Sequence, residues 1–346
     1  MSESAISFAP RLILWQRQHG RHDLPWQQTR DAYRIWLSEI MLQQTQVSTV
    51  IPYYLRFLAR FPDVATLAEA PLDAVLEAWS GLGYYARARN LHRCAQAVAA
   101  EHAGRFPGDP EQLAALPGIG RSTAAAISVF AYGTRAAILD GNVKRVLARC
   151  FSIDGFPGAA STEKDLWRLA ESLLPQTHVE AYTQGLMDLG ATLCVRANPS
   201  CGRCPMAEIC IARRDGRQAE LPTARPGKVL PEREVEVLLL TDGHRILLER
   251  RPPTGIWGGL LTLPEARDEA AADLARRQGC RLLDTRELPA LRHAFSHFRL
   301  TIRPLLCRVE AVGCCAGEAG REWLAIESVG SAALPAPIRR ILLQAV

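Results

Sequence analysis

Leu116-Pro117-Gly118-Ile119-Gly120-Arg121-Ser122-Thr123 runs directly into the helix-like Ala124-Ala125-Ala126-Ile127-Ser128-Val129-Phe130. Two glycines, two and four residues after Leu116, let the chain reverse tightly with its N–H groups exposed. The helix that follows adds the partial positive charge of its N-terminus, so hairpin and helix together suit a phosphate oxygen. On either side, apolar residues recur at helical spacing over 12–15, 35–47, 50–58, 72–79, 88–99, 124–130, 143–150 and 181–193, with Gly and Pro turn signals between them and no clear alternating strand. This pattern predicts an all-α domain built around a glycine hairpin.

That domain ends in a cysteine loop. Cys194, Cys201, Cys204 and Cys210 form C-x6-C-x2-C-x5-C, while the other six of the ten cysteines are scattered along the 346 residues. Four thiolates in so short a loop can hold zinc tetrahedrally or carry a four-iron cluster, and spacing does not choose between the two. Residues 215–233 are polar and proline-bearing, which predicts an exposed linker. Beyond them the period changes from helix to strand. Residues 235–240 and 246–248 flank an Asp242-Gly243 turn, and Leu300, Ile302, Pro304 and Leu306 alternate with Arg299, Thr301, Arg303 and Leu305. With helices expected near 269–277 and 336–343, the second domain reads as α+β. The expected layout is 1–214, a linker over 215–233, and 234–346.

Composition narrows the function classes less than the motifs do. Hydrophobic residues make up 48% and charged residues 22%, a globular balance that excludes disordered and fibrous chains. No apolar run reaches the ~18 residues of a membrane helix and the start lacks a signal-peptide layout, so a soluble, intracellular protein is expected. The net charge of +5 is faint, although 38 of the 41 cations are arginine.

The glycine hairpin followed by this cysteine spacing resembles the helix-hairpin-helix superfamily of base-excision DNA glycosylases typified by endonuclease III. Within it, Ser38-Glu39-Ile40-Met41-Leu42-Gln43-Gln44-Thr45-Gln46-Val47, Gly81-Leu82-Gly83-Tyr84-Tyr85-Ala86-Arg87-Ala88-Arg89 and Leu139-Asp140-Gly141-Asn142-Val143-Lys144-Arg145 resemble the MutY family of adenine DNA glycosylases. The resemblance spans nearly the whole chain. It implies one [4Fe-4S] cluster per chain on Cys194, Cys201, Cys204 and Cys210, and a duplex DNA partner with adenine opposite 8-oxoguanine or guanine. A monomer with no membrane association is expected, cytoplasmic and on the nucleoid of a bacterial cell.

Hydrolysis of an N-glycosidic bond needs a proton for the leaving base and negative charge beside an oxocarbenium-like sugar, the work of two carboxylates. By resemblance these are Glu39, which protonates adenine at N7, and Asp140, which stabilises the sugar cation electrostatically or through a covalent adduct. Glu39 stands among apolar and amide residues, where desolvation should raise its pKa. Asp140 is also placed to cap the following helix. The resemblance puts Asn142 in support of the site. It puts Gln44 and Tyr84 into the base stack, and Gly118, Gly120 and Ser122 at the DNA backbone. Trp26, Ser122 and Gln184 are candidate adenine-pocket residues by position. Where lyase-competent relatives carry a nucleophilic lysine two residues after the hairpin's last glycine, this sequence has Ser122, which implies a monofunctional enzyme leaving an abasic site. Arg87 and Arg89 read as phosphate contacts or as solvated charges; Arg196 and Arg203 flank the cluster ligands.

In the second domain Gly255-Ile256-Trp257-Gly258-Gly259-Leu260 and Pro264-Glu265 resemble a Nudix domain, but the box is broken. Seven residues after Glu265 stand Asp273-Leu274, and the paired glutamates are missing from the run Ala275 to Cys280. A recognition module is expected, with Phe295, Ser296 and His297 probing the 8-oxoguanine. The rival readings are a diphosphate-hydrolysing Nudix enzyme, a non-catalytic iron–sulfur DNA-binding module, and a pyrimidine-lesion or thymine-mismatch glycosylase.

Overall fold

The computed structural model describes residues 3–227, 229–252, 255–266, 269–295, 297–311, 320–330 and 332–345. The chain divides into two compact units, Met1–Glu69 with Asn90–Gly227, and Ala70–Arg89 with Lys228–Val346. Among the described residues no helix is long and apolar enough to cross a membrane.

The first unit is helical: α1 (Glu3–His19), α2 (Ala32–Leu42), α3 (Val47–Arg60) and α4 (Val64–Glu69) precede the break, and α5 (Leu72–Ala78) belongs to the other unit. After α6 (Ala86–Glu101) come α7 (Pro110–Ala115), α8 (Arg121–Tyr132), α9 (Gly141–Cys150), α10 (Ala160–Ser172), α11 (Val179–Thr192) and the single turn α12 (Ile211–Arg214). Their ends follow the residue types. Asp31, Asp109 and Asp140 accept hydrogen bonds from the first turns of α2, α7 and α9, each satisfying an orphan N–H. Gly133 closes α8 at φ 70°, with Thr134 N donating to Ser128 O as a helix-ending αL turn requires. The apolar faces of α1, α8, α9, α10 and α11 converge on one core through Leu12, Val129, Val146, Leu166 and Leu189, all at most 1% exposed. Burial of a side chain of this kind contributes about 1.5–3 kcal/mol each.

Residues 215–233 are only partly the exposed linker that their composition suggests. Leu221 is 1% exposed, its carbonyl accepts from Arg149 Nε at 2.8 Å, and Thr223 Oγ1 accepts from Gly155 N. Together with Arg217, which donates to Ser152 Oγ and pairs with Asp154, these contacts hold 217–223 against the helical unit, and Glu232 and Arg233 already belong to a strand.

The second unit is a mixed sheet of β1 (Glu232–Thr241), β2 (Arg245–Arg250), β3 (Leu261–Thr262), β4 (Cys280–Glu287), β5 (Leu291–Ala294), β6 (Arg299–Ala311) and β7 (Arg321–Ala325), with α13 (Ala271–Arg277) and α14 (Ala336–Ala345). Its central order is β3-β2-β1-β6-β4, with β1 and β6 parallel in register Glu232 to Arg299 and the other pairs antiparallel. The β1–β2 turn holds Gly243 at φ 96°, which the expected Asp-Gly hairpin needs. Strand alternation covers both faces: Val237 and Leu239 pack with Ile338 and Leu342 of α14, while Leu238 and Leu240 pack with Leu274 and Ala275 of α13. Residues 70–89 join this unit by polar contacts. Arg250 pairs with Asp73 at 2.9 Å, Tyr85 Oη donates to Leu334 O at 3.3 Å, and Arg339 donates to Ser80 Oγ at 2.6 Å.

Candidate active site

Glu39 sits on α2 among Ile35, Trp36, Leu37 and Ile40, all at most 3% exposed. Its half-buried carboxyl opens into a cavity of about 550 Å³ whose wall also includes Trp26, Arg21, Gln184, Met187 and Phe130. Desolvation by burial, and then the nearby negative charge of Asp140, push its pKa up to about 8. Glu39 therefore holds its proton at neutral pH. Trp26, 8% exposed, packs edge-on against Tyr54 with ring centroids 5.4 Å apart. Of the three expected pocket residues, Trp26 and Gln184 share the cavity with Glu39. Ser122 does not line it.

Asp140 is half-buried at the N-terminus of α9, and its Oδ1 accepts from Val143 N at 2.8 Å. Capping and proximity to Glu39 thus coexist in one residue. Burial raises the Asp140 pKa, while N–H groups of Val143 and Asn142 and the charges of Arg145 and Lys144 pull it back. Asn142 accepts from Arg145 at 2.8 Å, and the same guanidinium donates to Gly190 O and Cys194 O. The Asn142 side chain packs so close to α11 that a Cβ on Gly190 would lie 2.5 Å from its Cβ. Ser122 Oγ accepts from Leu139 N at 2.9 Å, so the hydroxyl anchors the strand-like approach to Asp140.

In the hairpin only one glycine is demanded by the fold. Gly118 stands at φ 77°, and a Cβ there would lie 2.6 Å from Asn90 Cβ. Gly120, read from sequence as a second turn residue, has an ordinary extended φ of −89° at the α8 N-cap, with open space where a Cβ would be. Gln44 and Tyr84 are both exposed and both in the left-handed region, at φ 55° and 49°. Non-glycine residues held there cost about 1–3 kcal/mol and cluster at ligand clamps.

Arg87 is buried and Arg89 half-buried, and both donate to backbone carbonyls. Arg87 is 9% exposed, lies over the Trp79 and Tyr84 rings, and donates to Leu82 O and Gly83 O, clamping the turn that presents Tyr84. Arg89 donates to Gly258 O at 2.6 Å. Both are absorbed by carbonyls that sequence spacing does not reveal. Arg196 and Arg203 are exposed beside the cysteine loop.

Cys194, Cys201, Cys204 and Cys210 all line one small cavity of about 20 Å³, walled by Val146, Leu189 and Leu193. Arg149, 3% exposed, crosses beneath them and donates to Val195 O, Arg196 O and Leu221 O, with Cys194 Sγ 3.5 Å away. Among the described residues no three His, Cys, Asp or Glu side chains are gathered tightly enough to hold a single metal ion. The four thiols share this one pocket, and a four-thiolate donor set is what a four-iron cluster takes.

In the sheet unit, Gly259 adopts φ 76°, Glu265 bridges to Val237 and pairs with Arg251 at 2.5 Å, and Arg277 pairs with Glu269 at 2.7 Å. Arg251 thus occupies Glu265, the glutamate that keeps its place in the broken Nudix box. Phe295 N donates to Phe298 O at 2.9 Å, closing a turn between β5 and β6; Phe295 stacks on Phe298 with centroids 4.5 Å apart, and His297 is exposed. Trp257 and His293 extend this aromatic group. Ser296 lies outside the described residues.

Residues 37–172 match the HhH-GPD superfamily of base excision DNA repair proteins, and residues 236–344 match a NUDIX domain family. The chain is 35% identical to an adenine DNA glycosylase of Buchnera aphidicola over 98% of this chain and 97% of the relative. It is 31% identical to the human adenine DNA glycosylase over 97% of this chain and 73% of that one. A thermostable thymine-DNA glycosylase structure superposes with TM-score 0.56 at 30% identity, covering 62% of this chain and 98% of the other. A non-covalent endonuclease III–DNA complex gives TM-score 0.54 at 18% identity, over 62% and 98%, and shows the shared helical fold.

Proposed function

Because the chain belongs to the adenine DNA glycosylase family of base-excision repair enzymes, we propose that it hydrolyses the N-glycosidic bond of adenine mispaired with 8-oxoguanine or guanine in duplex DNA. The observation that carries this reading is Glu39 opening into a cavity of about 550 Å³, with burial and then the charge of Asp140 raising its pKa to about 8. A flipped adenine delivered to the cavity meets an acid that holds its proton at neutral pH. Glu39 donates at N7, the glycosidic electron pair leaves with the base, and the sugar becomes cationic. Asp140, gripped by helix N–H groups, supplies the opposing charge, and water adds to the sugar and gives up a proton that restores the Glu39 acid, leaving an abasic site. Asn142, fixed by Arg145, keeps the approach to Asp140 in register.

Ser122 is engaged by Leu139 N and is no amine nucleophile, so strand cleavage through a Schiff base has no residue at that position. In the stack Gln44 and Tyr84 fill the vacated space, their strained backbones holding them outward. Phe295 and His297, with Ser296, read the opposite 8-oxoguanine. The Arg251–Glu265 pair and the missing paired glutamates support recognition over metal-dependent diphosphate hydrolysis.

Cys194, Cys201, Cys204 and Cys210 would hold the family's [4Fe-4S] cluster, which when bound organises the loop. Arg196 and Arg203 of that loop then offer cations to the DNA backbone. The protein acts as a monomer on duplex DNA. Single-turnover excision from duplexes carrying A opposite 8-oxoguanine, A opposite G, and thymine glycol tests the reading. Adenine should leave fastest opposite 8-oxoguanine, without strand nicking before heat or alkali. Preferential removal of thymine glycol would sink it.

A further inference from the structure

We propose that Asp188 is a positioning residue that decides which hydrogen-bonding atoms of Gln184 and Arg21 face the Glu39 cavity, and so sets a preference for a purine carrying an amine beside a ring nitrogen. The inference rests on the adenine reading above.

Asp188 of α11 is fully buried. A carboxylate only accepts hydrogen bonds, so it dictates the polarity of each group that meets it. Its Oδ2 accepts from Arg21 N at 2.9 Å, and its Oδ1 accepts from Arg21 Nε at 2.7 Å and from Gln184 Nε2 at 2.9 Å. A glutamine amide has two ends of nearly equal shape, and its orientation is decided by its neighbours. Here the NH2 end must face Asp188. The carbonyl end receives no donor among the described residues, and Gln184 lines the cavity. Arg21 lines it too, with its Nε spent on Asp188 and its two terminal NH2 groups left over.

One buried charge thus aims an acceptor and a donor at the same space. On the edge away from N7, adenine offers the complement, its N6 amine donor beside the N1 acceptor, whereas guanine offers the reverse, an O6 acceptor beside an N1–H donor. A guanine would set its O6 against the Gln184 carbonyl. The loop before Arg21 is built around this grip: a Cβ on Gly20 would lie 2.5 Å from Gln16 O and 3.0 Å from Asp188 Oδ2.

The test compares single-turnover excision of adenine and of unsubstituted purine, which lacks the amine, from otherwise identical duplexes opposite 8-oxoguanine. In Asp188→Asn the amide of Gln184 is free to turn. Adenine excision should fall by about ten- to hundredfold, the effect of one misdirected buried hydrogen bond, while purine excision changes little. Adding Gln184→Glu to Asp188→Asn should restore the adenine preference, because a carboxylate accepts at both oxygens; a merely structural role gives no such rescue. Gly20→Ala, which displaces the loop without removing the charge, should erode the preference in the same direction and serves if Asp188→Asn does not fold. Equal slowing of both bases without rescue, or an unchanged preference in both variants, overturns the positioning role alone. Wild-type protein that excises neither base overturns the adenine reading with it.

Discussion

Glu39 in the helical unit and Glu265 in the sheet unit are the same side chain in opposite circumstances. Glu265 has Arg251 at 2.5 Å and a β-bridge partner in Val237, so its charge is matched and its place is structural. Glu39 has apolar neighbours, a carboxylate nearby and no cation paired with it among the described residues, and burial drives its pKa to about 8. Withholding a cation from a buried carboxyl creates an acid; supplying one creates a brace.

The largest break in that comparison is chemical. Glu39→Gln removes the proton donor and should lower single-turnover adenine excision by about a thousandfold, within the usual range for a lost general acid, while duplex affinity by gel shift is retained. Glu265→Gln should leave the same rate unchanged. A Glu39→Gln protein excising at the wild-type rate would remove Glu39 from the mechanism.

The comparison sharpens with pH. An acid of pKa about 8 is spent as it deprotonates, so wild-type excision at saturating enzyme should fall about tenfold per unit once pH exceeds 8. Folding carries the same signature with a definite sign. Between the ordinary glutamate range near 4.5 and about 8, the native state keeps a proton that the unfolded chain has released. Glu39 therefore costs stability progressively as pH rises through that window. Glu39→Gln should unfold later in urea at pH 8 by up to about 4 kcal/mol, with the gain vanishing at pH 4. A pH-independent difference would contradict the buried acid.

The smallest expected effect belongs to the sheet unit. His297→Ala, together with Ser296→Ala, should reduce the ratio of excision opposite 8-oxoguanine to excision opposite guanine by about tenfold, one to two hydrogen bonds' worth, with the pH profile untouched. Unchanged discrimination would leave the aromatic turn without a reading role.

Much of the helical unit is legible from short-range signals. The hairpin glycine at φ 77°, the aspartate caps and the helical periods are local, and so is the density of cysteines in one loop. The sheet's hairpin and its alternating strand are local too. What escaped is long-range and polar. Arg87 and Arg89 read as surface cations, yet one lies over Trp79 and Tyr84 and the other donates to a carbonyl 169 residues away. Residues 217–223 read as linker because one buried leucine hardly changes a window's composition. Asp188 and Arg21 are 167 residues apart, and no pattern around either one marks the pair.

The sequence alone determined the family and the two-domain composition, and it singled out four cysteines as candidate ligands and two carboxylates as candidate catalysts, because each is written in residue types at fixed local spacing. Only the tertiary structure decided that burial raises the pKa of Glu39, that Asp140 caps α9 and adds to that rise, and that Asp188 holds Gln184 and Arg21 toward one cavity. Those are properties of burial and of partners brought together from distant parts of the chain, and dielectric environment has no representation in the order of residues.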